Sequence, residues 1–254
     1  MAFPGLRLAV GTLTIVPVGP LPEISPATGG RAMTVAPLAV LPLGSAVALT
    51  GGLATALELP GLVTGLLTVG VLALGTRAMH LDGLADTADG LGSGWSPERA
   101  LAIMKRGDIG PMGVVTLIVT LGLQAVALGE LVQSWTGAGL AGLLVCLSRS
   151  ALVLVCRRGV PAARPTGLGV VVAGTVSRGT AVLIWLVTAA TASLVYAGVG
   201  STWWAGLLGA GLAAAAVLAL VRHCTRRFGG VTGDVMGAAV ELAFTILVLG
   251  AVAR

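Results

Sequence analysis

Asp82, Asp86 and Asp89 stand four and three residues apart in the run His80-Leu-Asp-Gly-Leu-Ala-Asp-Thr-Ala-Asp-Gly90. On a helix, positions i, i+4 and i+7 share one face, so this spacing stacks three carboxylates. Like charges so placed repel, at a cost on the order of a few tenths of a kcal/mol per pair in water. A divalent cation that prefers oxygen ligands removes the conflict, and Mg²⁺ commonly bridges one or two carboxylates to substrate phosphates. A single aspartate is ordinarily solvated or caps a helix; three in register point to a metal-ligand face. With Glu98 and Asp108 they make up five of the ten acidic residues. The acids are concentrated, not spread.

Two further clusters supply complementary chemistry. Phe228-Gly-Gly-Val-Thr-Gly-Asp234 leads into an apolar run. Gly229, Gly230, Thr232 and Gly233 let a ligand approach the backbone where free N–H groups favour an anion such as phosphate. Arg226 and Arg227 precede this turn, and Asp234 closes it as a helix cap or a further metal ligand. Lys105-Arg-Gly-Asp-Ile-Gly-Pro-Met-Gly113 brings Lys105, Arg106 and Asp108 to another glycine- and proline-bearing turn. Cations there would neutralise charge on a phosphoryl group, or serve only to anchor a loop. His80 and His223 are candidate bases or hydrogen-bonding residues at the same boundary.

The elements that must position these residues are membrane helices. Of the 254 residues, 56% are hydrophobic and 10% charged, too few charges to clothe a soluble protein of this size. Thirty-nine glycines suit close helix contacts in lipid. The net charge of +5 comes from bases scattered between apolar runs, so no nucleic-acid partner is expected. Seven stretches approach the roughly 20 apolar residues that span a bilayer: 34–57, 61–81, 111–133, 138–156, 180–198, 203–222 and 234–252. The run from Phe3 to Val16 is short and ends at Pro17, as an interfacial helix would. The expectation is an all-α, polytopic transmembrane bundle of about seven spans plus that helix, with residues 1–254 forming one membrane domain.

Lys and Arg fall before span one and in alternate connections after it, and are absent from the other three connections. That pattern places the N-terminus, the acidic connection and the Gly229–Asp234 turn on the cytoplasmic side. Trp135, Tyr196, Trp203 and Trp204 fall at the opposite ends, where an aromatic belt belongs. Cys146, Cys156 and Cys224 form no CxxC pair and read as packing residues. Arg149 and Glu241 lie inside spans four and seven, each seven residues from the cytoplasmic edge. An isolated charge at a span's centre costs on the order of 3 kcal/mol, so they are expected to pair; the alternative is that Arg149 snorkels to the cytoplasmic surface and Glu241 is protonated.

At this point the motifs show a resemblance. His80–Gly90, the Met104-Lys105 turn ending in Ile-Gly-Pro-Met-Gly113, and Gly229-Gly-Val-Thr-Gly-Asp-Val-Met-Gly-Ala238 resemble the cobalamin synthase family. Leu13-Thr-Ile-Val-Pro17 is similar to that family's opening, and the match runs end to end in order and spacing. The family often has an acid directly after the lysine, where this chain has Arg106 and puts its acid at Asp108. The resemblance implies transfer of the adenosylcobinamide-phosphate group from adenosylcobinamide-GDP to α-ribazole, or its 5′-phosphate, with release of GMP. It implies an enzyme of a bacterial cytoplasmic (inner) membrane with its site facing the cytoplasm. A ribose hydroxyl would attack the phosphorus next to cobinamide. Mg²⁺ on Asp82, Asp86, Asp89 and Asp234 would bridge the diphosphate, with Lys105 or Arg106 beside the leaving phosphate. A carboxylate or His80 would take the hydroxyl proton.

Two rival readings have sequence marks of their own. A CDP-alcohol phosphotransferase expects Asp-Gly-x-x-Ala-Arg followed by two later aspartates; position 86 is Asp here and no such pair follows. Prenyltransferases likewise use helically spaced aspartates. A transporter expects ionisable groups near the midplane of two related halves, but the sequence shows no internal repeat. A homo-oligomer is compatible with these residues.

Overall fold

Helices begin where the chain offers a capping oxygen or a proline, and this chain does so repeatedly. The computed structural model describes residues 3–21, 24–94 and 96–253. Ser25, Ser134, Ser177 and Thr232 each accept a backbone N–H three residues on, opening α2 (Pro26–Ala39), α8 (Trp135–Ser148), α11 (Arg178–Gly198) and α13 (Gly233–Val252). Ser96 does the same for the short α6 (Pro97–Ile103). The remaining helices are α1 (Pro4–Leu13), α3 (Leu41–Ala56), α4 (Gly61–Gly75), α5 (Met79–Gly92), α7 (Pro111–Leu131), α9 (Ala151–Val155), α10 (Leu168–Val172) and α12 (Trp203–Phe228). The described chain is all-α, with two isolated bridges, Arg157 to Val176 and Ala162 to Val231, and no strand.

Six helical stretches among the described residues are long and apolar enough to cross a membrane: Pro26–Ala56, Pro111–Leu131, Trp135–Val155, Arg178–Gly198, Trp203–Phe228 and Gly233–Val252. Two boundaries differ from the sequence expectation. The first span starts at Pro26 rather than residue 34, because Ser25-Pro26 is a strong helix start that hydropathy alone ignores. The expected second span does not run on through His80. It breaks at Arg77 and Ala78, both left-handed (φ 56° and 55°), and α5 leaves at 91° to α4. The aspartate register survives, but on a separate helix.

The spans differ in how much they meet protein. Trp135–Val155 and Gly233–Val252 are 83% and 72% buried in the bundle, against 33% for α7, α11 and α12. The first two are central pillars, and the others turn leucines such as Leu186, Leu194 and Leu208 outward. Small residues permit close crossings: Gly44 of α3 meets Gly142 of α8, and Gly61 of α4 meets Gly129 of α7.

Polar groups in the core are joined across helices. Gln124 of α7 donates to Glu241 at 2.8 Å and to Thr245 at 3.0 Å, while His80 Nδ1 lies 3.9 Å from Glu241 Oε1. The expected contact between Arg149 and Glu241 is not made: Arg149 donates instead to Val145 O and Ser148 Oγ, both at 2.9 Å. It stands between α8 and α9, where its own turn supplies acceptors, and Gln124 reaches Glu241 from the other side. The two charges act on one another only through space.

Candidate active site

Two backbones must almost touch to build the site. At Gly83 on α5 an added Cβ would lie 2.7 Å from the Asp234 carbonyl oxygen, and at Gly237 on α13 it would lie 3.0 Å from His80. Glycine at both places lets α5 and α13 close backbone to backbone. That seam sets Asp82 and Asp86 beside Asp234, and His80 one turn deeper along α13. Thr232, not Asp234, is the N-cap of α13. Asp234 is therefore free of that task. Its Oδ2 accepts from Thr232 Oγ1 at 3.1 Å and from Arg164 Nη1 at 3.4 Å.

Asp89 has a different situation. Its two oxygens accept the N–H groups of Gly110 at 2.7 Å and Gly113 at 2.9 Å, the first turn of α7. A Cβ at either glycine would collide with that carboxylate at 2.5 Å. The Ile-Gly-Pro-Met-Gly113 motif is thus a receptor for Asp89, favoured by the helix dipole. Asp86 has no such partners. Partial burial, then Asp82, then Asp234 push its carboxyl up to about 7, with Arg164 opposing them.

Beneath the carboxylates lies a cavity of about 320 Å³. Asp82, Arg164, Thr232, Gly233 and Asp234 are in its polar wall; Leu13, Met33, Leu152, Met236 and His80 are buried in the rest. Arg164 was not singled out from sequence. It comes from the segment after α9, where Ala163 N donates to Val231 O and Val231 N to Pro161 O, pinning that segment against the start of α13. Arg164 also donates to Leu101 O of α6 at 2.9 Å. The bracketing Pro161 and Pro165 were the available signal that this loop is held rather than loose.

The other expected site residues do not reach the cavity wall. Lys105, Arg106 and Asp108 are exposed in the connection from α6 to α7. Arg226 is exposed near the end of α12, and Gly229 is that helix's left-handed cap (φ 80°). Gly230 is pressed against the backbone of Pro161 to Ala163. These glycines shape the turn rather than line the cavity.

The chain matches the model of cobalamin-5-phosphate synthase over residues 5–252. The chain belongs to the cobalamin-5-phosphate synthase family. It is 49% identical to an adenosylcobinamide-GDP ribazoletransferase of Nocardioides sp., over 98% of both chains. It is 39% identical to one from Frankia casuarinae, over 96% of this chain and 93% of the relative. A third, from Corynebacterium efficiens, is 37% identical over 96% and 89%. No solved structure matches the chain. Like these cobalamin-5-phosphate synthase relatives, the chain is an enzyme, a transferase of cobalamin biosynthesis.

The donor set of this cobalamin-5-phosphate synthase family member suits a hard cation. Asp82, Asp86 and Asp234 offer only oxygens, and the Asp86 carboxyl is raised by partial burial and then by the neighbouring Asp82 and Asp234, against the pull of Arg164. Among the described residues no three His, Cys, Asp or Glu side chains enclose a metal by themselves. That is compatible with Mg²⁺, which keeps waters and takes its remaining ligands from substrate phosphates.

Proposed function

We propose that the chain transfers the adenosylcobinamide-phosphate group from adenosylcobinamide-GDP to α-ribazole or α-ribazole 5′-phosphate, releasing GMP. The observation that supports this best is the carboxylate group Asp82, Asp86 and Asp234, crowded about Arg164 at the mouth of a cavity of about 320 Å³. Asp82, Asp86 and Asp234 would hold Mg²⁺, which when bound supplies charge neutralisation on a diphosphate. A ribose hydroxyl forms the new P–O bond, the anhydride P–O bond breaks, GMP departs, and the hydroxyl proton passes to a carboxylate at the mouth. Such displacement needs positioning and electrostatic stabilisation, not a covalent nucleophile. Arg164 is placed to meet phosphoryl oxygens, a planar donor fork suited to them. It takes the role that sequence gave to Lys105 or Arg106. Asp89 is assigned to holding α7 in place rather than to the metal.

The proposed setting is a bacterial cytoplasmic membrane, with the cavity mouth on the cytoplasmic side. A cysteine at Ser93 should be labelled only from the cytoplasm, and one at Ser201 only from outside; labelling of both from one side contradicts this orientation. The reaction is tested by incubating purified protein with adenosylcobinamide-GDP, α-ribazole 5′-phosphate and Mg²⁺. Equal amounts of GMP and a cobalamin product are expected. GMP release that does not depend on the acceptor would overturn it.

A further inference from the structure

The polar mouth and the buried remainder of the cavity call for different parts of a substrate. Leu13, Met33, Leu152 and Met236 are each less than 5% exposed and present no charge. Among them stands His80, 3% exposed, whose two ring nitrogens have no hydrogen-bond partner. A neutral imidazole has one N–H donor and one acceptor, and leaving them buried and unpaired is costly. The Nδ1 edge faces Glu241 at 3.9 Å, beyond hydrogen-bond reach.

We propose that this cavity seats the heterocyclic base of the acceptor nucleoside, with the ring against Met33 and Met236 and the His80 imidazole hydrogen-bonded to its unsubstituted ring nitrogen. This deepens the reaction proposed above and rests on it. The corrinoid stays outside and presents only its diphosphate to Asp82, Arg164 and Asp234.

Size argues first. A volume of about 320 Å³ is at the small end of ligand sites, which run from about 300 to 1,000 Å³. It suits a bicyclic base with its sugar and is too small for a corrin with its amide arms. Polarity argues second, against the guanine of the donor. Guanine has several donors and acceptors around its edge, and an apolar wall would leave most of them unpaired. A benzimidazole-type base has one free ring nitrogen; of the two buried polar side chains in this wall, Thr232 is already engaged with Asp234 and Val235, and His80 alone has no partner. Direction argues third: His80 is one turn deeper than Asp234, so a base held there leaves its ribose at the carboxylates. Methionines adapt to irregular apolar shapes and make favourable contacts with aromatic rings. Met33 and Met236 therefore set how large a base is accepted.

The test separates this site from the reaction. Equilibrium dialysis of α-ribazole 5′-phosphate against the full-length protein in detergent, without donor, reads base binding alone. His80→Ala should weaken binding about tenfold, the worth of one buried hydrogen bond, and His80→Gln should recover part of it. In turnover, Leu152→Phe should raise KM for the acceptor at least fivefold while KM for adenosylcobinamide-GDP stays within twofold. If Leu152→Phe fails to insert, Met79→Phe at the half-exposed wall serves the same purpose. Unchanged acceptor binding in His80→Ala, or a rise in donor KM instead of acceptor KM, overturns the assignment. Absence of product from the parent protein with both substrates defeats the reaction, while the dialysis result still decides the base site.

Discussion

Asp86 and Asp89 lie three residues apart on α5 and do opposite things. Asp89 is satisfied: both oxygens are taken by amides of Gly110 and Gly113. Asp86 finds no such donors: partial burial, then Asp82 and Asp234, push its carboxyl up to about 7 against the pull of Arg164. Helical spacing makes them equivalent; the partner that each meets does not. A carboxylate whose lone pairs are filled by backbone holds a structure together, whereas one that is crowded and unfilled has affinity left for a cation.

Substitution separates the two ends most strongly. Asp82→Ala or Asp86→Ala should lower kcat by about 10³-fold or more, the scale of losing a principal electrostatic stabiliser, with membrane insertion intact. Activity within threefold of the parent for both would remove the metal-ligand role. Titration comes next. The Asp86 carboxyl is protonated up to about pH 7 in the folded chain but only to about 4 when unfolded. Between those values the folded state binds the extra proton, so in chelator this group's stabilisation is present at low pH and is lost as pH rises through about 7. Mg²⁺ must displace that proton, so its affinity should fall about tenfold per pH unit below 7. Melting curves with and without Mg²⁺ at pH 6, 7 and 8 measure both trends, and a pH-independent Mg²⁺ affinity contradicts them.

Asp89→Ala should act on stability instead, costing about 1–2 kcal/mol through the lost cap of α7, with Mg²⁺ affinity changed less than threefold. A larger loss of Mg²⁺ affinity than Asp86→Ala would erase the distinction between the two aspartates. The smallest effect concerns the carboxylate deepest in the bundle. A double-mutant cycle on Gln124 and Glu241 should show a coupling of about 0.6 kcal/mol, typical of hydrogen bonds between membrane helices. The Arg149 and Glu241 cycle should show less. The reverse order would restore the direct ion pair.

Much of this was legible in the sequence. Apolar length found the bundle, and the i, i+4, i+7 spacing correctly put three aspartates on one helix face. Spacing cannot say which of them finds a partner, because the amides that claim Asp89 lie over twenty residues away. The break at Arg77 and Ala78 was hidden for a related reason: neither residue type favours positive φ, so only tertiary packing reveals it. In sequence Arg164 is one of several bases in a connection between spans; Pro161 and Pro165 mark a held loop but do not say that it folds onto α13. The Arg149–Glu241 expectation failed on competition, as both residues had nearer polar partners.

The seam at Gly83 and Gly237 has a mechanical consequence. Lipid-facing α11 and α12 can tilt when acyl chains lengthen or shorten, since most of their surface meets the bilayer. At Gly83 and Gly237 the backbones of α5 and α13 approach with no side chain between them to yield, so the two helices move as one body. Bilayer thickness should therefore be absorbed at the periphery of the bundle, and the distance from Asp82 to Asp234 should be the same in thin and thick membranes.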